Sequence, residues 1–173
     1  MADFTKGVKS VAIPASSIKL VRKIGIVRAR WNDDVVSSLE KGFVSELAAC
    51  GIGSDQIVKL EVPGSFELPY AASSLIERHP DMDAVVCIGT LIKGETMHFE
   101  YISESVSHAI MKLGIDTGVP VIFGVLTCMT DEQAFARAGL IEGKGHNHGN
   151  EWGRAACEMA VIKRETEAAA QQR

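Results

Sequence analysis

Apolar and polar positions alternate between two periods along the chain. A short continuous apolar run recurs four times, and a stretch with helical spacing follows each one. Lys23-Ile24-Gly25-Ile26-Val27-Arg28-Ala29 predicts the first strand. It ends in Arg30-Trp31-Asn32-Asp33-Asp34, where Asn32 or Asp33 suits an N-cap. Val35, Leu39, Phe43 and Leu47 then mark one helix face, and Gly51 stops that helix. Ile57 to Val62 predicts the second strand. Pro63-Gly64-Ser65-Phe66-Glu67-Leu68-Pro69 turns into a helix with Ser65 as its cap and Leu68, Ala72, Leu75 and Ile76 on its apolar face. Ala84-Val85-Val86-Cys87-Ile88 predicts a buried third strand. Beyond the loop that follows, Ile102, Val106, Ile110 and Leu113 mark a helix ending between Gly114 and Gly118.

Pro120 to Leu126 predicts the fourth strand. Thr130-Asp131-Glu132-Gln133 reads as a capping box that opens a short helix closing at Arg137-Ala138-Gly139. Leu140 to Asn150 reads as a flexible polar loop. The last helix starts near Asn150, carries Trp152, Ala156, Met159 and Ala160 inward, and frays into a polar tail over 165–173. Residues 1–19 form an extended arm in which Val11-Ala12-Ile13 could pair as a short strand, with another subunit for instance. Strands alternating with helices imply a parallel sheet with right-handed crossovers. The expected fold class is therefore α/β: a three-layer αβα sandwich, flavodoxin-like, with a four-stranded parallel sheet and helices on both faces. No repeat or linker divides it, so 1–173 reads as one domain.

Composition sharpens the picture by exclusion. The 173 residues are 46% apolar and 23% charged, with a formal net charge of −4. That balance fits a soluble globular domain and points away from nucleic acid and anionic membrane surfaces. No apolar run reaches membrane-spanning length, and the N-terminus has no signal-peptide core. Cys50, Cys87, Cys128 and Cys157 are scattered without paired spacing, which points to a reducing, cytoplasmic location.

The candidate chemistry gathers where strands end and helices begin. In open α/β sheets ligands bind outside the carboxyl ends of the strands, and the free N–H groups of a helix start suit an anion. The loop after the third strand, Gly89-Thr90-Leu91-Ile92-Lys93-Gly94-Glu95-Thr96-Met97-His98, is such a place. Thr96 can cap the helix and donate to a phosphate. His98 is the side chain there with a pKa suited to proton transfer. Trp31 follows the first strand, as a packing or a stacking residue. Phe66 and Glu67 follow the second. These stretches suggest one shared cleft. His146-Asn147-His148, with no Cys or acid cluster nearby, is a weak zinc signal. No metal is expected there, and a mobile loop offering a donor to phosphate is the preferred reading.

The motifs Val62-Pro63-Gly64-Ser65-Phe66-Glu67-Leu68-Pro69, Gly89 to Phe99, Pro120 to Thr127 and Arg137-Ala138-Gly139 together resemble the lumazine synthase family. The resemblance covers about Lys23 to Met159, and Trp31 with the Gly145 to Asn150 loop resembles the fungal type. It implies a cofactor-free condensation of 5-amino-6-(D-ribitylamino)uracil with 3,4-dihydroxy-2-butanone 4-phosphate. His98 would move protons; Trp31, Ser65, Phe66, Glu67, Thr90, Leu91, Ile92 and Phe123 would hold the uracil substrate. Glu95, Thr96 and Arg137 would bind phosphate, with Lys93 and His148 as further candidates. The family departs here in two places, since Lys93 stands where many relatives have arginine and Glu95 where a small residue is common. The resemblance also implies a homopentamer with Phe123 and Arg137 coming from the next chain. Some members close pentamers into a shell through the turn between the last two helices. Ile141-Glu142-Gly143-Lys144 looks like an insertion there, which would leave an isolated pentamer. A flavin- or phosphate-binding module without catalysis is the alternative.

Overall fold

The structure, a computed structural model, describes residues 11–171. Four parallel strands, β1 (Lys23–Ala29), β2 (Ile57–Val62), β3 (Met82–Ile92) and β4 (Val121–Cys128), lie in the order β2-β1-β3-β4. A short helix α1 (Ala15–Ile18) precedes them. Helices α2 (Asp33–Cys50), α3 (Leu68–Arg78), α4 (His98–Thr117), α5 (Asp131–Arg137) and α6 (His148–Gln171) connect and follow them. The three-layer αβα fold is the one expected.

Side-chain alternation along the strands divides the core in two. Ile24, Ile26, Ala84, Val86, Ile88, Leu126 and Cys128 point to one face and pack on Leu39 and Phe43 of α2 and Ala156, Cys157 and Ala160 of α6. Val27, Val85, Cys87 and Val125 point to the other, against Leu68, Ala72 and Leu75 of α3 and Val106 and Ile110 of α4. On the first face α6 lies with its backbone against α2. A Cβ on Gly153 would stand 2.7 Å from the Phe43 carbonyl oxygen, and one on Gly149 would overlap that of Leu39.

Several boundaries differ from the expected ones. β3 runs on through Gly89 to Ile92, because Thr90, Leu91 and Ile92 pair with Leu126, Thr127 and Cys128. Gly89 does not turn the chain; it makes room for Ser65, whose Oγ would lie 2.6 Å from an added Cβ. Ser65 is not an N-cap but lies inside a 3₁₀ turn, Ser65–Glu67, ahead of α3. In the box before α5, Thr130 Oγ1 accepts from Gln133 N–H at 3.3 Å, while Gln133 returns to Met129 N–H at 2.8 Å rather than to Thr130.

Helix α6 opens at His148, not Asn150, and continues to Gln171 where a frayed tail was expected. Arg164 and Lys163 extend from it to the buried carboxylate of Asp83, at 2.5 and 3.7 Å, and pair with Glu167 on the next turn. The loop before α6 is pinned rather than flexible. Ala138 and Asn147 form an antiparallel bridge, Lys144 pairs with Glu132, and Asn147 Nδ2 donates to Ser38 O at 2.7 Å. Val11–Ile13 forms no strand, and the Val11 carbonyl accepts from Arg154. Of the N-terminal arm, residues 1–10 lie outside the described residues, as do 172–173 of the tail.

Candidate functional site

The connections decide where a ligand can enter. After β1 the chain passes to α2 on one face, and after β3 it passes to α4 on the other. Neighbouring strands whose chains leave in opposite directions open a crevice at their carboxyl ends. A cavity of about 610 Å³ occupies that place, large enough for a drug-sized heterocycle.

Each strand end contributes to its lining. Trp31 follows β1; Ser65, Phe66 and Glu67 follow β2; Thr90, Leu91 and Ile92 end β3; and His98 opens α4. Trp31 is 72% and Phe66 58% exposed, so both rings stand at the rim with faces open to stack on a flat ligand. Ser65 and Thr90 lie deeper, both buried. Thr90 Oγ1 has no hydrogen-bond partner among the described residues, a costly state that a ligand's polar edge would relieve. Glu67 is already half committed, since its Oε2 accepts Gly64 N–H at 2.9 Å and shapes the turn.

Two lining residues with polar side chains were assigned no site role from the sequence. Asn32 looked like a cap, but it sits at φ 58°, ψ 47° and makes no side-chain cap bond. Its Nδ2 donates instead to the Thr90 carbonyl at 3.1 Å. Asparagine tolerates the left-handed region better than most residues, which is the signal its position after a strand carried. Asp131 also lines the cavity, from the first turn of α5.

The loop between Ile92 and His98 borders the cavity without lining it. Thr96 Oγ1 accepts the His98 N–H at 3.3 Å, from one position before the N-cap, Met97. Glu95 and Thr96 are exposed. Lys93 ties the loop to α4. Its ammonium donates to Glu100 and to Thr96 O at 3.3 Å, and lies 5.9 Å from the centre of the Phe99 ring. The hydrogen bond from Lys93 holds the Glu100 carboxyl below its usual range. The charge of Lys93 is therefore matched by Glu100 in the first turn of α4.

Phe123, Arg137 and His148 stand apart from this cavity within one chain. Phe123 pairs with Cys87, three positions before Thr90 on the next strand's register, or about 10 Å back along the sheet. Arg137 ends α5, six residues beyond Asp131 and about 9 Å along the helix axis. His148 is its neighbour. Burial pushes the His148 imidazole below its usual value, Glu151 opposes that shift, and the Arg137 charge adds to it.

A parallel sheet with an aromatic-rimmed cleft at its switch point, and an exposed helix start beside it, defines an α/β protein with a cleft of small-molecule size. The 6,7-dimethyl-8-ribityllumazine synthase family model matches residues 22–164. A Pyricularia oryzae protein named 6,7-dimethyl-8-ribityllumazine synthase is 47% identical, over 83% of this chain and 88% of its own length. Proteins of that name from Schizosaccharomyces pombe and Porphyromonas gingivalis are 51% and 44% identical, over 80% and 82% of this chain and 86% of each relative. The chain belongs to the 6,7-dimethyl-8-ribityllumazine synthase family.

Proposed function

We propose that this chain is an enzyme that condenses 5-amino-6-(D-ribitylamino)uracil with 3,4-dihydroxy-2-butanone 4-phosphate, releasing phosphate and water, in riboflavin biosynthesis. The observation that carries the site assignment is the convergence of Trp31, Ser65, Phe66, Glu67, Thr90 and His98 on one cavity of about 610 Å³. Trp31 and Phe66 offer faces for the uracil ring. Ser65, the free Glu67 oxygen, Thr90 Oγ1 and the backbone of Leu91 and Ile92 offer partners for its edges and the ribityl hydroxyls.

The substrate amine attacks the ketone and water leaves to give an imine. Phosphate is then eliminated, and ring closure releases a second water. Each step moves a proton, and His98 at the cavity wall is placed to carry it. The backbone N–H groups of Glu95 and Thr96, in the loop just ahead of α4, receive the phosphate. Holding both substrates together contributes much of the rate by proximity, and no cofactor is needed.

The active sites form between neighbouring subunits of a homopentamer. Two features support this. Phe123 and Arg137 lie on a different part of the chain surface from the cavity, so a ring of identical chains can carry them to the next chain's cleft. Met111, Ile115 and Ile162 are exposed, and with Met159 the first two border an apolar hollow of about 460 Å³ that a second copy would cover. The four free cysteines fit a reducing cytoplasm. Among the described residues no helix is long and apolar enough to cross a membrane.

Supplying both substrates to the purified chain and following the absorbance of the lumazine product tests the reaction. Binding of the uracil without turnover would leave a ligand-binding module instead.

A further inference from the structure

His146-Asn147-His148 presents two imidazoles with no acid beside them in sequence; the fold supplies the acid. His148 and Glu151 stand at i and i+3 in the first turn of α6, on one helix face. His146 lies on the loop just before. Its Nε2 is 3.0 Å from Glu151 Oε1, and His148 Nδ1 is 3.3 Å from Glu151 Oε2. The two imidazole rings are 4.6 Å apart. Among the described residues, this is the one group of three His, Cys, Asp or Glu side chains whose donor atoms all lie within 4.8 Å of one another.

We propose that His146, His148 and Glu151 bind a divalent transition-metal ion of the zinc type, leaving a fourth position open to solvent.

The donor set favours that class. Two imidazoles and one carboxylate suit zinc and its borderline neighbours, whereas magnesium and calcium take oxygen ligands. The spacing fits too. Donors on a tetrahedral ion with bonds of about 2.05 Å stand about 3.3 Å apart, and each imidazole already stands at about that distance from one of the two Glu151 oxygens. Glu151 has no lysine or arginine partner among the described residues, so its charge faces only the two rings.

Two features oppose a cation. Arg137 acts on His148, and the first turn of α6 points its N–H groups at the site. The Glu151 carboxylate offsets both, and Lys144, the loop's other nearby cation, is matched by Glu132. One rearrangement is required. The ring planes differ by only 13°, and a nitrogen lone pair lies in its ring plane, so parallel rings cannot both aim at one ion. His146 is the ring free to turn. Its side chain is 47% exposed, and it follows Gly145, which holds φ 75°. A bound ion would fasten the loop between α5 and α6 to the start of α6.

The test uses the untagged full chain, stripped of metal by a chelator and exchanged into chelator-free buffer. Zn²⁺ is titrated by calorimetry, and Co²⁺ by visible absorption. We expect one saturable ion per chain, weakened at least about 100-fold in Glu151→Gln and in His146→Ala, the upper end of what even outer-shell changes cost. Circular dichroism establishes that both variants are folded. The Co²⁺ bands should be those of a four-coordinate nitrogen and oxygen site. No saturable binding, unchanged affinity in both variants, or a thiolate charge-transfer band arising from the cysteines would each overturn the proposal.

Discussion

The Asn32 side-chain amide donates to the Thr90 carbonyl at 3.1 Å, tying the end of β1 to the end of β3 across the mouth of the cleft. The bond fixes Trp31 relative to the strand that offers Thr90, Leu91 and Ile92. Asn32→Gly keeps the left-handed backbone and removes the donor. It should cost about 1 kcal/mol of substrate binding, or about fivefold in KM for the uracil, the usual net worth of a neutral hydrogen bond. Steady-state kinetics and thermal unfolding measured together check this. A lowered Tm with unchanged KM would make the bond structural only.

His98 begins α4 and lines the cavity beside the last residue of β3 to do so, Ile92. His98→Ala should lower kcat by roughly 10²-fold, the common loss for a proton-transfer group, with binding of the uracil largely kept. Single-turnover rates separate chemistry from release. An unchanged turnover number would hand the proton transfers to water or to the substrates themselves.

Lys93 and Glu100 hold the loop from Gly94 to Met97 against α4. The Glu100 carboxyl is depressed below the 4.5 of a free glutamate. The pair's contribution is therefore fully present above pH 4.5 and fades as pH falls through the lower folded value. Glu100→Gln removes it at every pH. Amide exchange over 93–98, corrected for intrinsic rates, should be faster in the variant at pH 7 and should converge with the parent at strongly acid pH. Equal protection at pH 7 would remove the pair from any role in ordering the loop.

The sequence disclosed the strand starts and the placement of the cleft more readily than the loops. β1 and β2 have the expected bounds because turn residues flank their apolar runs. β3 extends past its expected end because Gly89 serves Ser65 rather than a turn, and only the β4 register shows that. Gly149 misled in the same way, as a contact with α2 rather than a loop residue. The polar end of α6 stays helical through local pairs of Lys163 and Arg164 with Glu167 and through their pairs with Asp83, a partner distant in sequence and hidden in the β3 core. At the site, position after a strand was enough to find Trp31, Phe66 and Glu67. Asn32 looked like a cap because asparagine is favoured both at helix N-caps and in the left-handed conformation it adopts here. Glu151 went unremarked because a helix starting near Asn150 leaves His148 outside it; with α6 opening at His148 the two fall at i and i+3, and His146 joins them from the loop.

Asp83 is fully buried and accepts from Arg22 N–H at 2.6 Å while Arg164 stands 2.5 Å away. Asp83→Ala would remove the buried partner of the Arg164 guanidinium, leaving it Glu167 and the Asp81 carbonyl, and would leave the Arg22 N–H without its acceptor. Breaking a buried pair from one side costs about 3–5 kcal/mol, and denaturant unfolding should show a loss of that order. A loss under about 1 kcal/mol, the surface-pair range, would mean that water reaches Arg164 freely.

Arg137 carries the proposed assembly. In one chain it ends α5, away from the cavity that His98 lines. If the next subunit's cleft receives it, Arg137→Ala weakens the phosphorylated substrate far more than the uracil, because a charge-assisted bond to one ligand is lost. The two lesions then also complement. Inactive His98→Ala and Arg137→Ala chains, assembled together, regain activity at those interfaces where an intact His98 meets an intact Arg137. A site confined to one chain allows no such recovery. A different contact, between pentamers, would set the particle size. The resemblance implies that Ile141 to Lys144 is an insertion in the connection between α5 and α6; there residues 142–146 stand exposed, and Lys144 pairs with Glu132. In the proposed assembly such a projection would keep pentamers from packing together while leaving the ring contacts alone. Light scattering should therefore find five chains of 18.6 kDa per particle. A megadalton particle would refute the role given to the loop, and an active monomer would refute the shared site.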